Sequence, residues 1–114
     1  MREYLTQRIE ELSAREQMLA ADDRKDEAVF AKVRANVYGI FSTILTVAAK
    51  TCPDEAAAGK FFAQKLEELP RNWQTSLQRA QQYDDGEKIA LETVKLEAVE
   101  DIRQALERIW EVEA

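Results

Sequence analysis

The sequence predicts an all-α fold, an up-down-up-down four-helix bundle forming one domain over residues 1–114, on three observations. Apolar residues recur at steps of three and four almost throughout, which is the spacing of one helix face. Three Gly and two Pro leave few breaks in a chain rich in good helix formers. Residues 35–49 carry no charge at all, although 33% of the chain is charged. A helix with so little solvent face belongs at the centre of a fold or in a subunit contact.

The first helix is expected over about residues 2–20, where Leu5, Ile9, Leu12, Glu16 and Leu19 form one stripe. Glu16, its odd member, is expected to reach past the core edge to water. Asp22 and Asp23 then break the pattern, and either could cap the next helix. That central helix is read over about residues 23–50. Its apolar arc contains Val29, Phe30, Val33, Val37, Ile40, Phe41, Ile44, Leu45 and Ala48. Pro53 ends it, with Thr51 or Cys52 expected to cap the third helix.

The third helix holds Phe62, Leu66, Leu69, Trp73, Leu77 and Ala80 in one phase across Pro70. Proline removes a backbone bond and disfavours the α region for the preceding residue, so a kink or break is expected there, with Leu69 driven out of helical geometry. Asp84-Asp85-Gly86-Glu87 reads as a tight turn, with Gly86 suited to positive φ and Asp84 with Glu87 resembling a capping box. The last helix, about residues 87–112, is expected to bury Val94, Ala98, Val99, Ile102, Leu106, Ile109 and Trp110 and to present Glu97, Glu100, Gln104, Glu107 and Glu111 to water. Short turns between rods of this length give antiparallel neighbours. A three-helix arrangement with the first helix splayed away is the alternative.

The net charge of −6 and pI near 4.8, with Lys and Arg interspersed among Asp and Glu, argue against nucleic acid and anionic membrane as partners. A single cysteine and no apolar leader at the start fit a cytoplasmic protein. The apolar run at 37–49 is too short and too mixed to span a bilayer.

The absence of histidine removes Ser-His and Cys-His nucleophile pairs, His-bound zinc and the Glu-x-x-His element of di-iron bundles. Gly39, Gly59 and Gly86 are isolated, so no glycine-rich phosphate loop exists. Cys52 lies beside a helix start with Lys50 nearby, which favours a thiolate, but it has neither a base nor a resolving cysteine. The carboxylates of residues 22–27 and those of Glu97, Glu100 and Asp101 could hold Mg²⁺ if the two sets faced each other. That arrangement is faintly similar to all-α nucleotide pyrophosphohydrolases. Their Glu-Glu-x-x-Glu and Glu-x-x-Asp elements are missing, because Glu10-Glu11 is followed by Ala14 and Glu97 by Glu100.

Tyr38, Phe61, Phe62, Trp73 and Trp110 could line a groove, though helical spacing fits core positions as well. Small residues on one side of the central helix, Ala31, Ala35, Gly39, Ser42, Thr46 and Ala49, would let another backbone approach closely. The expected function is therefore non-enzymatic: a helical bundle that forms a homodimer, with Ala35, Gly39, Ser42, Thr46 and Ala49 as the subunit interface, and that acts in protein–protein interaction without a cofactor. The alternative is a Mg-dependent phosphohydrolase acting on nucleotides through the clustered carboxylates.

Overall fold

A computed structural model describes residues 1–109. It contains helices α1 (Arg2–Ala21), α2 (Lys25–Thr51), α3 (Glu55–Glu68), α4 (Pro70–Gln82) and α5 (Gly86–Ile109). α3 and α4 form one rod bent by 12° near Pro70, so the architecture is an up-down-up-down four-helix bundle with a kinked third helix. The bend is gentle because Leu69 stays helical, at φ −62° and ψ −40°, and its N–H still donates to the Lys65 carbonyl. The expected expulsion of Leu69 from the α region does not occur. The helix continues through Pro70 at the loss of one backbone bond, while the Pro70 ring itself is buried.

The helix ends differ from the sequence expectation in a common way. Asp23 and Asp84 take the left-handed conformation, at φ 61° and 54°. In each turn the N–H of the next residue reaches back past the usual helical partner, Arg24 to the Leu19 carbonyl and Asp85 to the Ala80 carbonyl. These are Schellman closures, which usually recruit glycine. Gly86 is not needed for positive φ and simply begins α5. Neither Asp22 nor Asp23 caps α2, whose N-cap is Arg24 without a side-chain bond. Asp54, rather than Thr51 or Cys52, caps α3 by accepting from the Ala57 N–H at 2.8 Å. Asp85, rather than Asp84, accepts from the Lys88 N–H at 3.2 Å.

The core is built from Leu5, Leu12, Val37, Tyr38, Phe41, Leu45, Phe62, Leu66, Ala98, Val99, Ile102 and Leu106. Phe41 and Phe62 meet edge to face at 5.8 Å between centroids, joining α2 to α3. Glu16 is half-buried. Val29, Ile40 and Ile109 are exposed, contrary to the expected core. Trp110 and Glu111 lie outside the described residues.

α2 is the central element, but the bundle is not square. α1 runs antiparallel along α2, from Arg2 against Thr46 at one end to Leu19 against Ala28 and Ala31 at the other. α5 runs parallel to α2 in step, as the pairs Arg34–Glu97 and Tyr38–Asp101 show. Among the described residues the polar contacts between α1 and α5 all end on Asp101. With α2 drawn against α5 and α1 leaning on α2, the molecule is flattened to 46 × 34 × 22 Å.

Candidate functional site

Four polar side chains meet where α1, α2 and α5 converge. Tyr4 donates its hydroxyl to Asp101 Oδ2 at 2.5 Å, and Tyr38 donates to the same oxygen. Arg8 Nε stands 3.8 Å from that atom, its guanidinium lies 5.5 Å from the Tyr38 ring centre, and its Nη1 bonds Glu11 at 2.7 Å. Tyr38 is fully buried, whereas Asp101 is half-buried. Burial first, and the bond to Asp101 second, hold both tyrosine hydroxyls protonated above the ordinary tyrosine range. The chemistry of this cluster is that of a latch: phenols that stay protonated donate to a carboxylate. In the sequence Tyr38 reads as an aromatic groove candidate and Asp101 as a metal candidate, and their pairing has no signature because they lie 63 positions apart.

The two acidic sets do not converge. Glu97 is engaged by Arg34 at 3.1 Å, Glu100 by Arg103 at 3.4 Å and Asp101 by the tyrosines. Glu27 pairs with Arg24 within the other set. Among the described residues no group of three or more His, Cys, Asp or Glu is placed to hold a metal ion. Cys52 is half-buried in a cleft at the α2–α3 corner with Met1, Arg2 and Pro53. Phe62 is core, Phe61 lies half-buried beneath Lys65 and Trp73 lies half-buried beneath Lys95.

A carboxylate interrupts the buried side of α5. Glu92 is 6% exposed on α5, and Lys95 reaches its Oε1 at 3.2 Å. Its Oε2 has no hydrogen-bond partner. Its phase separates it from the solvated glutamates of α5, because Glu92 lies seven positions before Val99 and fourteen before Leu106, both buried.

The proposed interface residues of α2 fall in several environments. Ala35 packs against the core cluster, and Thr46 accepts a hydrogen bond from Arg2 at 3.1 Å. Ser42 is half-buried and Ala49 is exposed beside the Cys52 cleft. Gly39 is half-buried, yet a methyl group built on it would touch nothing. At 100° per residue this flank lies about 100° around α2 from Asn36, Ile40, Thr43 and Val47. Those four are the exposed residues of α2 within the uncharged stretch as far as Val47, and Ile40 and Val47 are 40% and 43% exposed. α1 leans over the small flank and leaves the neighbouring strip bare. Among the described residues no helix is long and apolar enough to cross a membrane. No family model, curated protein or solved structure matches the chain.

Proposed function

We propose that this chain acts by associating with a second copy of itself through the bare side of α2, as a protein–protein interaction module rather than a catalyst. The observation that carries the reading is the strip Asn36, Ile40, Thr43 and Val47, exposed at steps of four, three and four and bordered by Gly39, Ser42 and Thr46. An ordinary solvent face would carry Lys and Glu, as the outer faces of α1 and α5 do. Two copies at −6 each repel, so close approach favours a surface free of charge. A two-fold axis through this strip sets Ile40 and Val47 of one copy against the same pair of the other, the self-complementary arrangement of isologous dimers. Gly39 at its border, where an added methyl group would touch nothing, admits the second helix at short distance.

Sedimentation velocity at tens of micromolar is the test, with Ile40→Lys and Ser42→Lys beside the wild type. The expected result is a wild-type dimer and folded, monomeric variants, since burying an unpaired ammonium costs several kcal/mol. A monomeric wild type, or lysine variants that dimerise equally well, would refute the proposal.

A further inference from the structure

The lean of α1 away from α5 opens a cleft along α1 and α2 of about 560 Å³, within the size range of small-molecule sites. Its floor is apolar, formed by Leu12, Leu19, Phe30 and Ala31, and its charged groups are Arg8, Arg15, Arg34, Glu11 and Glu27. Both carboxylates already have cations: Glu11 bonds Arg8, and Glu27 pairs with Arg24, which stands outside the cleft. The arginines are less fully used. Arg8 is held by Glu11 and faces Asp101 at 3.8 Å, but Arg34 has one contact at the solvent edge with Glu97, and Arg15 forms no ion pair or hydrogen bond among the described residues. Arg8, Leu12, Arg15 and Leu19 follow one another at steps of four, three and four, so guanidinium and apolar groups alternate along one wall. A cleft with surplus cationic donors is the reverse of what a chain at −6 presents elsewhere.

We infer that this cleft binds a phosphate monoester carried on an apolar body, with the phosphate on Arg15 and Arg34 and the body against Phe30, Leu12 and Leu19. Guanidinium forks match the geometry of phosphate oxygens, and two forks on one dianion give the charge-assisted bonds that a lone surface arginine does not. The apolar floor separates this ligand from inorganic phosphate.

The test is an NMR titration of ¹⁵N-labelled protein with phenyl phosphate, butyl phosphate and inorganic phosphate. At least one ester is expected to shift the amides of Leu12, Leu19 and Ala31 saturably, with Kd below about 1 mM, and to bind about tenfold more tightly than inorganic phosphate. The tighter ester identifies an aromatic or an alkyl body. Arg15→Gln, at an exposed position whose loss leaves the core untouched, should weaken binding about tenfold, as should Arg34→Gln. Salt at about 0.5 M should weaken it further. Failure of both esters to saturate, equal affinity for inorganic phosphate, or wild-type affinity in both arginine variants would each overturn the inference.

Discussion

Replacing Asp101 by alanine isolates the latch between α1, α2 and α5. Asp101 accepts from Tyr4 and Tyr38, and hydrogen bonds to a charged acceptor contribute about 1.5–3 kcal/mol each. The two are not equal. Tyr4 is half-buried, so water replaces much of its lost bond and its share falls to roughly 0.5–1 kcal/mol. Tyr38 is 1% exposed and would keep an unpaired buried hydroxyl, at a cost of roughly 1.5–3 kcal/mol. The total, about 2–4 kcal/mol, is a large part of the 5–15 kcal/mol typical of a domain, and should lower Tm by on the order of 10 °C. Urea denaturation followed by circular dichroism measures it. Asp101→Asn retains an acceptor oxygen and should lose about half as much. A double-mutant cycle with Tyr38→Phe should show coupling of at least about 1 kcal/mol, since each change removes the same bond. A loss below about 1 kcal/mol in Asp101→Ala would refute the latch.

The same tyrosines set a pH dependence. Their folded pKa values are raised, chiefly by burial, so the unfolded chain loses these protons first, near pH 10, and stability falls as pH rises from there through the folded values. Tyr38→Phe should flatten that alkaline decline in a pH series of urea midpoints, and an unchanged slope would contradict the assignment. Asp23→Gly and Asp84→Gly should each stabilise by about 0.5–1 kcal/mol by relieving left-handed backbone in the Schellman turns, and a thermal melt showing destabilisation would speak against it. Glu92→Met should leave stability unchanged or raise it by about 1 kcal/mol, because Lys95, 29% exposed, can turn to water once its partner is gone. A drop beyond about 1.5 kcal/mol would show instead that the Glu92–Lys95 pair stabilises the α5 packing.

Local signals in the sequence reported on local structure. The stripe of Leu5, Leu12 and Leu19 located α1, and the constant phase of Phe62, Leu66, Trp73 and Ala80 across Pro70 foretold one bent rod instead of two unrelated helices. The errors arose where a neighbour decides. Aspartate takes the left-handed position at both Schellman turns because it tolerates φ > 0 better than most residues, so Asp23 and Asp84 close the helix before them instead of capping the one that follows. Val29 and Ile40 belong to the apolar arc of α2 by periodicity, but α1 packs over the small flank and, among the described residues, no helix covers the arc's far edge. The pairing of Tyr38 with Asp101 depends on the parallel alignment of α2 with α5, which no pattern within either helix records.

The division of labour around α2 explains how one helix can serve both proposed surfaces. Val37, Phe41 and Leu45 face the core, on the side of α2 turned away from the strip Asn36, Ile40, Thr43 and Val47. The cleft residues Glu27, Phe30, Ala31 and Arg34 lie on average about 160° from that strip at 100° per residue. They continue the core side toward the N-terminal end of α2, where α1 leans away from α5 and leaves it open. A second copy seated on the strip therefore covers none of the cleft, and each protomer of such a dimer keeps its arginines accessible. The strip and the cleft share no side chain, and coupling between them would require a packed element with two arrangements that both ligands bias. Dimerisation and phosphate-ester binding are on this geometry separate properties: Ile40→Lys should abolish the first and leave ester affinity unchanged, while Arg15→Gln should weaken ester binding in a protein that still sediments as a dimer. An ester affinity that falls with Ile40→Lys in a folded monomer would show that the two surfaces are linked through α2 after all.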